Sequence, residues 1–228
     1  MGRIGHNAGV MTMPSDPQAL DDVIVLARQE TRITTDPRVV AEARERFTRA
    51  GAVVLRGFLS PPLLSALQQE LRQGEFKTKI HPASGVEEVF GRKEATWLFR
   101  FLLTTRDVLG AVTALTGVEP LYKAEVRIYR LVPGTGHQHD WHSDAARQRQ
   151  LGLSVNLSEG MFEGGNLQIR HPGDEALLSD IRNTGPGDAV IFGISPNLEH
   201  RVLEVTGDVP RVALAGWFTA ETDSRIGP

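Results

Sequence analysis

Cysteine is absent from these 228 residues. Disulfides and thiolate metal sites are thereby excluded, and any bound metal has to be held by histidine, aspartate or glutamate. Also absent is an apolar run of roughly eighteen or more residues, the length a membrane-spanning helix needs. The start, Met1-Gly-Arg-Ile-Gly-His-Asn-Ala8, has none of the apolar stretch of a secretory signal, so a cytoplasmic location is the expectation. Nor does charge of one sign dominate: 25 basic and 28 acidic residues give a formal net charge of −3, too little for general attraction to nucleic acid or an anionic membrane. The expected partner is a small molecule or a peptide, and composition leaves the oligomeric state open. No internal repeat or low-complexity segment is visible.

A chain of this length suits one well-cored domain with additional helices. Residues 1–36 show no clear period and are expected to form a partly flexible leader, with a single domain over 37–228. Asp36-Pro37 precedes Val39, Val40, Ala43 and Phe47, apolar residues at helical spacing with proline in the first turn, which predicts a helix over 38–47. Gly51-Ala-Val-Val-Leu-Arg-Gly57 reads as a buried strand, and Ser60-Pro-Pro-Leu-Leu-Ser-Ala-Leu-Gln-Gln-Glu-Leu71 as a second helix opened by a cap residue and proline. Residues 73–94 read as irregular and polar, and Ala95–Thr116 as apolar helix broken near Thr104-Thr105. From Leu121 the period changes to short strands separated by Gly, Pro and Asp turns, the pattern of an antiparallel sandwich or barrel. The expectation is therefore a mainly β fold with flanking helices, a helical layer over 37–120 and a β core over 121–220.

Chemistry concentrates in that β core. In His142-Ser143-Asp144 the two ligand types sit two apart, so in an extended backbone both side chains point to one face and can grip one ion. His200 lies in Leu198-Glu-His-Arg-Val-Leu-Glu-Val205, an alternating run that reads as a strand able to bring a third ligand alongside. Two imidazoles and one carboxylate leave the remaining positions of a metal open, the facial arrangement of non-haem Fe(II) oxygenases. Arg211 follows in Pro210-Arg-Val-Ala-Leu-Ala-Gly-Trp-Phe218, the next strand after a Thr206-Gly-Asp-Val turn. Its planar guanidinium suits a carboxylate held by two parallel hydrogen bonds. In Leu121-Tyr-Lys-Ala-Glu-Val-Arg-Ile-Tyr-Arg130 one face carries Lys123, Glu125, Arg127 and Tyr129, which either faces solvent or lines a polar pocket.

Together these segments resemble the 2-oxoglutarate/Fe(II)-dependent dioxygenase superfamily, and within it the prolyl-hydroxylase-like branch. The resemblance runs from about Val126 to Phe218. It rests on the order and spacing of Tyr129, Pro133-Gly134, the H-x-D, Leu151–Ser158, Phe162-Glu-Gly-Gly-Asn-Leu-Gln-Ile169, Pro186-Gly-Asp-Ala-Val-Ile-Phe192, His200, Arg211 and Gly216-Trp-Phe218. It implies a double-stranded β-helix, a jelly roll of the cupin-like kind, that holds Fe(II) through His142, Asp144 and His200. Arg211 would then pair the distal carboxylate of 2-oxoglutarate, with Tyr129 a candidate for touching the same cosubstrate. O2 is the further cosubstrate implied, with ascorbate as a supporting reductant. The implied reaction is hydroxylation of an unactivated C–H bond in an amino acid, a peptide side chain or a small natural product, with release of succinate and CO2.

Two other readings compete. His137 and His139 form the opening pair of a cupin-type metal site, although that reading leaves Arg211 without a task; otherwise they are loop residues at the pocket mouth. A barrel that senses a small ligand without turnover is the alternative from another class. Arg147 and Arg149 read as solvated charges that would attract an acidic substrate if they stood at a barrel mouth. Gly164-Gly165 and Gly185-Pro-Gly187 lack the spacing of phosphate-binding loops and read as turns. Substrate choice is expected to lie in segments 73–94 and 133–150.

Overall fold

The computed structural model describes residues 19–82, 85–92, 94–146 and 148–220. The chain opens with three short strands, β1 (Leu20–Asp21), β2 (Ile24–Val25) and β3 (Arg32–Ile33). They fall in the stretch expected to be a leader, yet Leu20, Val23, Ile24, Val25 and Leu26 are buried and β1 runs parallel to β4 (Ala52–Arg56). Two-residue strands are too short to display a period, so the signal was the cluster of apolar residues alone. Residues 1–18 lie outside the described residues.

Between these strands, α1 (Pro37–Ala50) starts as its sequence predicts. Asp36 caps it by accepting the Arg38 N–H at 2.9 Å, and Gly51 ends it in the left-handed conformation with φ 69°. α2 (Pro61–Gln73) buries Leu63, Leu67 and Leu71, a stripe at i, i+4, i+8. The stretch read as irregular is a hairpin, β5 (Phe76–His81) and β6 (Gly85–Phe90). Its charged and polar side chains hid the strand period, because β5 is largely exposed. Then come α3 (Glu94–Thr104) and α4 (Arg106–Thr116), broken where expected.

The β core follows as β7 (Lys123–Leu131), β8 (Gln138–His142), β9 (Arg149–Asn156), β10 (Glu163–Gly164), β11 (Leu167–Arg170), β12 (Leu177–Ile181), β13 (Ala189–Gly193), β14 (Glu199–Val202), β15 (Val205–Thr206) and β16 (Arg211–Thr219). One curled sheet of 12 strands runs in the order β1-β4-β13-β9-β16-β7-β6-β8-β14-β11-β12, with β5 attached to β6. This is the double-stranded β-helix with flanking helices. β6 joins its two halves: Glu88 and Val89 pair with Arg130 and Tyr129 on β7, while Gly85 and Val86 pair with His139 and Gln138 on β8.

Successive residues of the central strands serve two cores. On β13, Ala189 and Ile191 face the core shared with the helices, and Val190 and Phe192 face the core inside the curl. β4 divides in the same way, with Val53 and Leu55 on one side and Ala52 and Val54 on the other. Strands buried on both faces read as continuous apolar runs, which is why Ala52–Leu55 and Ala189–Phe192 carry no polar alternation. Among the described residues no helix is long and apolar enough to cross a membrane.

Because Ile24 is fully buried within the helix-side core, Ile24→Ala is expected to cost about 2–5 kcal/mol of stability. Chemical denaturation of the two proteins checks this, and a change near zero would return residues 19–36 to the status of a leader.

Candidate active site

β8 and β14 run antiparallel with His142 directly opposite His200, and their rings lie 4.3 Å apart between centroids. Asp144, just beyond the end of β8, brings Oδ2 to 4.0 Å from His142 Nε2 and 3.6 Å from His200 Nε2. One ligand atom from each of the three residues lies within 4.8 Å of the others, a spacing that a single ion can bridge. The donor set is two nitrogens and one carboxylate oxygen, which suits iron in a chain without thiolates.

The surroundings fix these ligands. His142 Nδ1 sits 2.6 Å from the Asp140 carbonyl, which can only accept, so Nδ1 donates there and Nε2 is the nitrogen turned toward Asp144. Burial, reinforced by the neighbouring His142, pushes the His200 imidazole down to about 3, so it is neutral at ordinary pH, the form a metal could take. Asp144 accepts from Trp217 Nε1 at 2.7 Å on one oxygen and from Arg149 Nη1 at 3.1 Å on the other. Arg149 in turn stacks 3.6 Å from the centre of the Trp217 ring. It is therefore committed to the site rather than solvated, correcting the sequence expectation; Arg147 lies outside the described residues.

Arg211 opens β16 and is only 7% exposed. Its Nη1 donates to the Tyr129 hydroxyl at 2.5 Å and its Nη2 to Ser154 Oγ at 3.1 Å. No carboxylate among the described residues pairs with it, so a full positive charge stands buried with only neutral partners, an arrangement that calls for an anion. Gly165, with φ +60°, makes room for this side chain: a Cβ there would lie 3.1 Å from Arg211 Cδ. The glycine pair read as a turn is instead the end of β10, with Gly164 paired to Val205 and Gly165 just beyond it as a wall of the Arg211 site.

Triad and arginine face one cavity of about 420 Å³. Glu125, Arg127 and Tyr129 line it, so the polar face of β7 is turned inward. His139 lines it too and is buried on β8, not placed on a loop at its mouth. The strand period alone would send His139 and His142 to opposite faces. An irregularity in the β8–β14 pairing, where His142 meets His200 but His139 meets Val202, brings both into the cavity. His137 is turned to the backbone, its Nδ1 accepting the Val132 N–H at 3.2 Å. Among the described residues neither His137 nor His139 joins a metal-ligand cluster, which removes the support for a cupin-type site.

Sequence reasoning missed Glu87 of β6. It is fully buried, and its carboxylate faces His81 Nε2 at 2.8 Å, Arg127 Nε at 3.2 Å and Nη2 at 3.0 Å, and His139 Nε2 at 3.1 Å. The last approach lies off the ring N–H direction, so it is an electrostatic contact more than a hydrogen bond. Burial alone would raise the Glu87 carboxyl, but His139 and the Arg127 charge overcome it and hold the group well below the usual carboxylate range. Burial, aided by the Arg127 and Arg211 charges, pushes the His139 imidazole below its ordinary value despite Glu87. Ser154 and Trp217 were also missed. Neither residue type announces a role, and only strand register reveals what it touches.

Trp217 holds Asp144 through a single N–H, and partners of this kind are typically worth roughly 10–100-fold in metal affinity. Trp217→Phe, which keeps an aromatic wall but removes that donor, is expected to weaken Fe(II) binding by about that factor. Metal titration reads the change, and unaltered affinity would show that the hydrogen bond does not position the carboxylate.

Residues 124–219 match the family model described as the 2OG-Fe(II) oxygenase superfamily. No curated protein matches the chain. Among solved structures, a 2OG-Fe(II) oxygenase family oxidoreductase from Burkholderia pseudomallei is similar with TM-score 0.61 and 15% identity over 80% of this chain and 92% of that one. A prolyl-4-hydroxylase from Pseudomonas putida follows with TM-score 0.60 and 21% identity over 80% of this chain and 100% of its own. The non-haem α-ketoglutarate-dependent epimerase SnoN of nogalamycin biosynthesis gives TM-score 0.59 and 18% identity over 81% and 84%. The structural likenesses establish the fold, and the matched segment contains His142, Asp144, His200, Arg211 and Tyr129. Residues 124–219 thus resemble the 2OG-Fe(II) oxygenase superfamily, whose members use Fe(II), 2-oxoglutarate and O2.

Proposed function

We propose that this enzyme hydroxylates an unactivated C–H bond of an amino acid, a peptide side chain or a small natural product, releasing succinate and CO2. The observation that carries the reading is the buried Arg211 guanidinium, without an acidic partner among the described residues, in the same cavity as His142, Asp144 and His200. In this reading His142, Asp144 and His200 hold Fe(II) on one side. Iron held there would supply the oxidising chemistry, with 2-oxoglutarate and O2 as cosubstrates.

The remaining work belongs to the protein's own side chains. Arg211 takes the distal carboxylate of 2-oxoglutarate, supplying the charge that its present neutral partners leave unbalanced. Tyr129 accepts from Arg211, so its own O–H is free to donate to the same carboxylate. Ser154 fixes the other arm of the guanidinium. Phe192, whose ring lies 4.8 Å from that of His200, and Leu167 and Val202 cover the cavity with apolar surface and limit water. One structural relative is a hydroxylase and another an epimerase, so the outcome has to be read from the product itself.

Arg211→Ala is expected to leave iron in place but raise the 2-oxoglutarate requirement by roughly thirty- to several-thousand-fold, the loss of a buried charge-assisted pair costing about 2–5 kcal/mol. Arg211→Lys should restore part of it, since lysine keeps the charge and lacks the fork. Succinate formation against 2-oxoglutarate concentration checks this, together with a one-oxygen mass gain in any substrate that stimulates turnover. If the iron-loaded protein makes no succinate across a broad panel of amino acids, peptides and natural products, the ligand-sensing barrel is the better account.

A further inference from the structure

The dioxygenase reading leaves part of the cavity's charge unused. Along β7, the inward side chains pass from Tyr129 to Arg127 to Glu125, leading away from Arg211, which stands opposite Leu131. Arg127 is anchored from beneath by Glu87, which occupies its Nε and Nη2. Its Nη1 has no partner among the described residues. The guanidinium also lies 5.3 Å from the Trp217 ring, the same indole that holds Asp144, so it is positioned beside the triad.

Lys79 reaches the cavity from β5, where it pairs in register with Glu87, and it makes no ion pair among the described residues. The charges on this side can be balanced group by group. Arg127 is offset by Glu87, Glu125 is turned to Lys123 at 3.5 Å, and Arg149 is offset by Asp144. Lys79 remains, lining the same cavity as an arginine that still has a free donor. A cavity with partly apolar walls focuses such residual charge on what enters it.

We propose that this end of the cavity binds the anionic group of the primary substrate, so that the enzyme acts on small organic acids. The acid group sits on Arg127 Nη1 and Lys79, and the body of the molecule lies along Trp217 with its reacting carbon toward His142, Asp144 and His200. Glu87 is a positioning residue: its carboxylate holds the guanidinium in place and has no direct part in binding. The proposal rests on the reading of the cavity as a dioxygenase site and deepens it by naming the substrate class.

Calorimetry under nitrogen, on protein loaded with Fe(II) and saturating 2-oxoglutarate, tests the site with matched pairs: benzoate and benzamide, 3-phenylpropionate and its amide, hexanoate and hexanamide. In at least one pair the acid is expected to bind about tenfold or more tightly than its amide, as a charge-assisted contact would give. Lys79→Met, at an exposed position, should lower that ratio. Arg127→Met alone would leave the buried Glu87 with imidazole partners only. The Arg127→Met/Glu87→Gln variant therefore removes the pair together, and should bring the ratio close to one. Equal affinity within every pair, no binding by any acid, an acid that competes with 2-oxoglutarate for Arg211, or a ratio unchanged in both variants overturns the proposal. Succinate formation by the same preparations is read separately: its absence removes the dioxygenase reading, whereas loss of acid preference removes only this site.

Discussion

The register of β8 against β14 is the constraint on which the rest of the site depends. His142 and His200 face each other because their backbones are paired partners, and Asp144 reaches the same point because the chain leaves β8 two residues after His142. A slip of one residue in this pairing would send His200 to the opposite face, where Arg201 now points to Gln168 at 2.8 Å. β6 ties the register in place from the other side by pairing with both β7 and β8. The geometry of the candidate metal ligands is thus a product of sheet assembly, and the hairpin that completes the sheet is also what carries Lys79 into the cavity and Glu87 beneath Arg127.

Buried charge organises the remainder. Arg211 and Arg127 both come from the neighbouring strands β16 and β7, but their surroundings differ. Arg127 has a buried carboxylate beneath it, which compensates much of the cost of removing it from water. Arg211 has only a phenol and an alcohol, so its charge is left for a ligand. In the proposed reading the two arginines therefore have unlike tasks despite sharing one cavity: Arg211 would anchor the dianionic cosubstrate, and Arg127 would lend a weaker, partly neutralised attraction to whatever lies beside Trp217.

How much of this was legible in the sequence follows from what each residue type reveals alone. His142, Asp144, His200 and Arg211 stood out because metal ligands and a strand-borne arginine in that order are uncommon chemistry, and the alternating runs placed them on strands. The helices α1 to α4 followed from apolar spacing and proline caps. Glu87 was hidden in a hairpin whose lysines, threonine and glutamates resemble a solvated loop, and its burial arises only from three strands closing over it. β1 to β3 were too short to show any period. His139 was read as a loop residue because a pairing irregularity, invisible in sequence, turns it inward. Tyr129 was a candidate from position and gained its significance only through the contact of its hydroxyl with Arg211.

The central claim is that one cavity holds Fe(II) on the His142, Asp144 and His200 side chains and presents 2-oxoglutarate to it from Arg211. Anaerobic titration of 2-oxoglutarate into the Fe(II)-loaded protein, followed by visible absorption, tests it most directly. The account predicts a charge-transfer band that grows to saturation at one equivalent of 2-oxoglutarate per chain, because His142, Asp144 and His200 would hold the iron and leave it able to take a 2-oxo acid anchored by Arg211. Tight binding of both iron and 2-oxoglutarate with no such band would contradict it, since the two would then occupy separate places in the fold.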